Sequence, residues 1–410
     1  MRTDRRTYRT RSALRREKSR ARAIRQRTAI LVVLLLAGAW LWGMALNSPR
    51  DVATPLWAVD IGSEISVAPA FADTCIYVSG ADGDLRKLDN LTGRLEWLFS
   101  SDFPLTSTAG LVHGRVFVGS EDGVVYAVDG ATGKLRWVMK VGATVVSSSA
   151  GEASTTATPL KVVDYSTAPG NELTPDAATV RKEALGHVYV GTDDGYVYAT
   201  ESITGKLMWK LKAGGAVAPS LCIASVEPVG QQPLLIFGAS DSRVYALESA
   251  TGARRWFFQT HGAVLSPCTV HGRTVFVGSD DQNVYALNVT TGRRVWEVQT
   301  GGIVRCGSVA DSDAVYIGSN DGILRALGCT TGYERWRHSL GDEIHCDPVL
   351  YANTVLCGAD NGLVCGIDRD TGERLWQYDA GGPIRGIGIV SDGLVCLVTG
   401  NGRVIALQVP

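Results

Sequence analysis

From residue 55 onward the chain is a succession of short apolar runs separated by glycine-containing turns. The stretch 264–299 shows the rule, with runs at 264–270, 274–278, 283–287 and 294–299, rich in Val, Tyr, Phe and Trp. Runs this short, β-branched and aromatic, and bounded by turn residues, predict strands rather than helices. Four such strands make one unit, and the unit recurs along the chain.

The recurrence is measurable. Thr-Gly followed by three residues and Trp ends at Trp97, Trp137, Trp209, Trp256, Trp296, Trp336 and Trp376, and Trp57 stands alone before them. Five of the steps between consecutive tryptophans are 40 residues, and the other two are 72 and 47. Four strands per 40 residues is the signature of a β-propeller. After Trp376 only three runs remain, at 384–390, 394–398 and 403–407. The run 56–60, carrying Trp57, supplies the fourth. The expectation is therefore an all-β, eight-bladed propeller over 55–410 whose first strand closes its last blade and so removes two open sheet edges.

The motif Ala-x-Asp-x-x-Thr-Gly-x-x-x-Trp at 127–137 resembles the repeat of the pyrroloquinoline-quinone (PQQ)-type propellers. Copies at 246–256 and 286–296 keep Thr-Gly and Trp but carry Glu248 or Asn288 for the Asp. The resemblance implies that each Trp packs on the Thr-Gly turn of a neighbouring blade. The eight tryptophans are then structural, since glycine admits the close approach an indole needs.

Ahead of the repeats lies a different chain. Residues 1–28 hold eleven arginines and Lys18 against Asp4 and Glu17, while the whole sequence has a formal net charge of -1. Residues 29–46 are eighteen uncharged residues, about 27 Å as a helix, enough to cross a thin bilayer. The basic arm predicts a cytoplasmic N-terminus and a signal anchor that sends the propeller to the periplasm, the outside or an organelle lumen. A cleaved signal peptide is the competing reading, because Gly43-Met44-Ala45 resembles a cleavage site. Without the arm the chain is net acidic, which argues against nucleic acid as a partner.

Departures from the repeat are where function is expected. Blade 3 gains an insertion at about 150–184, and blade 4 a smaller one at 225–233. Two neighbouring insertions suggest an edge for protein partners, or loops that are merely tolerated. The second departure lies nine residues after each Trp, where strands begin to line the channel. These positions read Ser66, Thr106, Val146, Ala218, Leu265, Arg305, His345 and Arg385. Three consecutive blades thus direct Arg305, His345 and Arg385 to one side of the channel mouth. They form a candidate anion or ligand site, unless nearby acids such as Asp342 and Glu343 or the turn aspartates pair with them.

No metal ligands are expected from spacing, because the nine cysteines include no CxxC and the Asp-Gly turns are too short for calcium loops. Quinone-dependent dehydrogenases share the repeat, yet the resemblance to them would require a vicinal Cys-Cys pair that this chain lacks. No nucleophile or acid–base pair stands out either, so no PQQ, other cofactor or catalytic residue is assigned. The chain is more similar to the non-catalytic branch, which includes the propeller scaffold subunit of the outer-membrane β-barrel assembly machinery. That resemblance implies a membrane-tethered scaffold that binds other proteins through its loops.

Overall fold

The computed structural model describes residues 53–72, 74–146, 186–225, 232–390 and 394–409. The basic arm, the apolar segment 29–46 and the insertion at about 150–184 lie outside the described residues. Among the described residues there are only strands, turns and bends, and no helix long and apolar enough to cross a membrane.

The strands form eight antiparallel sheets, one per repeat. Blade 1 holds Ala70–Phe71, Cys75–Ser79, Asp84–Asp89 and Leu95–Ser100, and the others follow in chain order. Blade 8 is closed as the tryptophan arithmetic requires. Thr54–Asp60 pairs with Arg403–Gln408 from Thr54↔Gln408 to Asp60↔Arg403, so the first described strand becomes the outer edge of the last sheet. Blade 3 has three strands among the described residues, His187–Gly191, Tyr196–Glu201 and Leu207–Lys212, with Val145 bridged to Thr192 at the inner side.

The inner strands are shorter than the hydrophobic pattern suggests. The run 264–270 yields only Thr269–His271 as strand. Pro267 removes an amide hydrogen from this stretch, and Val264 spends its own on Ala239 of the preceding blade. Near the axis the backbone therefore bonds around the ring instead of along its own sheet.

The outer strands are shaped by one irregularity repeated eight times. Every pairing of a third with a fourth strand shifts register one residue before the Trp, as between Ala286 and Leu287 opposite Trp296. A bulge re-aims the side chain that follows it. Here that side chain is the Trp, and it lies against the Thr-Gly glycine of the next blade. A Cβ on Gly292 would sit 2.6 Å from the Trp256 ring, and the glycine also has φ +68°, so no other residue fits. Seven indoles donate Nε1–H to a backbone carbonyl one blade on, from Trp57 to Asn90 at 3.2 Å through Trp336 to Arg369 at 2.8 Å.

The eighth contact is built differently because it spans the closure. Ala53 stands where the other blades place glycine, and it packs in one cluster with Trp376. The residue paired with Trp376 is Gly366, where six other blades have Ala and blade 1 has Lys87. A Cβ on Gly366 would lie 2.2 Å from the indole nitrogen. A methyl added on one side of the indole is matched by a methyl removed on the other.

Candidate functional site

Each inbound segment is held at the channel mouth by the same amide contact. A turn residue shortly after each second strand donates its N–H to the segment that precedes the inner strand: Glu121 to Pro104, Asp280 to Ala263, Asn320 to Ile303 and Asp360 to Glu343. The side chains at these turn positions, and two residues beyond the acceptors, are free to vary. Together they decide what the mouth presents.

On blades 5 to 8 they make two ion-paired groups. Arg305 of blade 6 donates through Nε and Nη2 to both oxygens of Asp280 of blade 5, each at 2.9 Å. Asp360 of blade 7 accepts from Arg385 Nη1 of blade 8 at 2.8 Å and lies 3.0 Å from His345 Nδ1. The other ring nitrogen of His345 is 3.5 Å from Glu343 Oε2, which accepts from Asn320 Nδ2 of blade 6 at 2.8 Å. The pairing also strengthens the hold of Arg305 on its proton, Asp280 being the main cause.

The structure thus places Arg305, His345 and Arg385 on the same mouth but not on one ligand. His345 and Arg385 converge on Asp360, whereas Arg305 belongs to Asp280. An incoming anion would have to displace these carboxylates, because Asp280, Asp360 and Glu343 outnumber the two guanidinium groups. The acids beside each arginine come from the residue before the turn Asp or Asn, a column that reads Ala81, Glu121, Asp193, Ser240, Asp280, Asn320, Asp360 and Gly400. Comparing that column between repeats would have revealed them. The spacing likewise gave no metal ligands, yet the fold brings Glu343, His345 and Asp360 together with one ligand atom of each within 4.8 Å of the others.

Two residues beyond His345 lies Asp347, which sequence reasoning missed. The residue is only partly exposed, and its carboxyl is enclosed closely enough to lose most of its water, which raises its pKa to about 6. The amide of Gly307 donates to it at 2.5 Å and partly offsets the rise. Burial, and after it the same carboxylate, push the Cys306 and Cys346 thiols up, so neither is poised as a nucleophile.

The outer edge of the ring carries a second asymmetry. Two residues before and one after the Trp, blade 1 has Leu95 and Leu98, blade 2 has Leu135 and Val138, and blade 3 has Leu207 and Lys210. The five apolar ones are 45–50% exposed, and Met208 on blade 3 adds another. The outer strands of blades 2 and 3, Leu135–Lys140 and Leu207–Lys212, contain no acid and carry exposed Lys140, Lys210 and Lys212. The corresponding pairs on blades 5 to 7 are Arg294 and Glu297, Glu334 and Arg337, Arg374 and Gln377. Four of these six are closed into local ion pairs, Arg294 with Glu297 and Arg337 with Glu334 at 2.5 Å.

Comparison with known proteins places this architecture. A family model described as outer membrane protein assembly factor BamB matches residues 50–181 and 193–409. Among solved structures, BamB from Moraxella catarrhalis is 17% identical with a TM-score of 0.67, over 87% of this chain and 98% of that one. The quinohemoprotein alcohol dehydrogenase of Comamonas testosteroni is 14% identical with a TM-score of 0.68, over 88% of this chain and 77% of the enzyme. The computationally designed Ika8 protein is 19% identical with a TM-score of 0.68, over 85% of this chain and 97% of that one. At these identities the structures speak for the fold alone. No curated protein matches the sequence. The family match covers most of the chain, and on that ground the chain belongs to the BamB family of PQQ-type propellers.

Proposed function

We propose that this protein is a membrane-tethered, non-catalytic scaffold whose propeller binds another protein on the far side of the membrane. The observation that carries the reading is the apolar, lysine-flanked outer edge of blades 1 to 3. A sheet edge with unpaired backbone groups and exposed Leu and Val is an adhesive surface that proteins otherwise blunt with charge. At the positions two before and one after the Trp, blades 5 and 6 place ion-paired charges, whereas blades 1 to 3 place Leu or Val in all but Lys210. The occupant that fits is an extended segment alternating apolar and acidic residues, adding a strand through main-chain bonds and pairing with the lysines. The tether is the apolar run 29–46, and the arginine arm sets its direction.

The test compares partner capture by the full-length protein with capture by Leu135→Glu/Leu207→Glu and by Val295→Glu. The first variant is expected to lose the partner at unchanged melting temperature, and the second to keep it. Equal capture by all three would remove the edge from the account.

The fold likeness to a quinohemoprotein dehydrogenase supports a second reading, in which the channel holds PQQ. Titration with PQQ, with and without calcium, while following tryptophan fluorescence decides it. Saturable quenching at micromolar affinity would favour that reading, and no quenching would leave the scaffold.

A further inference from the structure

Asp360 fixes the histidine beside it. Its carboxylate accepts from Arg385 and lies 3.0 Å from His345 Nδ1, so in the neutral ring the proton sits on Nδ1 and the lone pair on Nε2. Nε2 lies 3.5 Å from Glu343 Oε2. A second proton on the ring or a metal ion between these two acceptors would satisfy both. A carboxylate holding the far nitrogen of an imidazole whose near nitrogen is free is the arrangement that supports histidine as a metal ligand.

The separation fits a transition ion. Bonds of about 2.1 Å to a nitrogen and an oxygen at a tetrahedral angle place the two donors about 3.4 Å apart. Calcium and magnesium prefer all-oxygen sets, and imidazole selects against them. A third donor stands beside the pair. Asn320 now donates Nδ2 to Glu343 Oε2, and its Oδ1 is buried without a partner. Reversing that amide would bring Oδ1 to the same place, about 2.8 Å from Glu343 Oε2, with a cation to receive it. Nearby charges do not forbid a cation. Arg385 is matched by Asp360 and Arg305 by Asp280, while Asp342 adds a further carboxylate whose Oδ1 accepts the Glu343 amide. His345 and Glu343 keep 30% and 49% of their side-chain surface open, which leaves a path for the ion and its waters.

We propose that the channel mouth at blades 6 and 7 is a binding site for a zinc-class divalent ion, with His345 Nε2 and Glu343 as ligands. Asn320 supplies an amide oxygen, and Asp360 acts one shell out as the positioning residue. The ion would tie blade 6 to blade 7, and through Asp360 and Arg385 to blade 8. The site is independent of the outer edge, so its failure would leave the scaffold reading untouched.

The test uses the full-length protein, purified in detergent and stripped with chelator, titrated with zinc chloride at pH 7.5 against a chromogenic competitor. One saturable site is expected. It should be lost in His345→Ala and in Glu343→Gln and weakened about tenfold in Asp360→Asn, as for other outer-shell partners. Arg305→Ala should retain it. Nitrogen-15 histidine spectra should show zinc shifting His345 Nε2 while Nδ1 stays protonated. No saturable uptake overturns the proposal, as does uptake that survives both ligand substitutions in variants with wild-type melting temperatures. A His345 resonance that zinc leaves in place overturns it independently of stability.

Discussion

Blades 4 to 7 and the arc formed by blades 8, 1, 2 and 3 are built from one repeat and finished differently. In the first half the tryptophans are 3–9% exposed, and in the second all four are only half-buried. At the positions two before and one after the Trp, blades 5 to 7 of the first half place charged or polar residues, while blades 1 to 3 of the second place exposed Leu and Val in all but Lys210. The repeat sets the sheet, the bulge and the Trp-on-Gly contact. It does not set the solvent-facing positions between them, and these are where the halves diverge. A ring can therefore spend one arc on stability and another on binding without changing its backbone.

The comparison breaks most directly at the indoles. Trp296→Ala should cost about 3–5 kcal/mol, as for a buried aromatic, and Trp97→Ala at least about 1 kcal/mol less, because part of its ring is already in water. Denaturant unfolding of both variants measures the difference, and equal losses would mean that the two arcs are packed alike.

Asp347 gives the next largest effect, and its sign follows from its raised pKa. The folded state holds the proton up to about pH 6, while the unfolded chain releases it near the ordinary carboxylate value. Its contribution is fully present below about pH 4 and is lost as pH rises through about 6, a cost of about 2–3 kcal/mol at neutrality. Asp347→Asn should therefore stabilise the protein at pH 8 and change nothing at pH 4. Urea titrations at the two pH values check this, and a variant destabilised at pH 8 would reverse the assignment.

The closure contact should respond by about 1–3 kcal/mol. Gly366→Ala pushes a methyl into Trp376, as overpacking does, and Ala53→Gly should recover part of the loss. A double-mutant cycle with strictly additive effects would show that the two sides of the indole are not coupled. The smallest effect is expected at the open edge, where Leu135→Ser should move stability by less than about 0.5 kcal/mol.

Much of the architecture was legible from the sequence because a propeller writes its period in tryptophans. Trp57 and the three runs after Trp376 were enough to place the closing strand. The short inner strands were not legible, because Val264 is as apolar as any strand residue and only its bond to Ala239 shows that it serves the neighbouring blade. At the mouth, counting from each Trp found Arg305, His345 and Arg385. Glu343 and the turn aspartates were in view as pairing acids, but which aspartates serve was not legible, since Asp280 and Asp360 lie 25 residues away on the preceding blade. Asp347 escaped for another reason: its pKa is set by enclosure, which a linear motif does not record.

The central claim is that blades 1 to 3 are the binding arc. The direct measurement is photo-crosslinking in cells that make the full-length protein, with a photoreactive residue placed singly at Leu98, Leu135, Leu207, Val295 or Leu375. Adducts of one discrete mass from Leu98, Leu135 and Leu207, with none from Val295 and Leu375, are expected. The same adduct from all five positions, or only from Val295 and Leu375, would contradict the account.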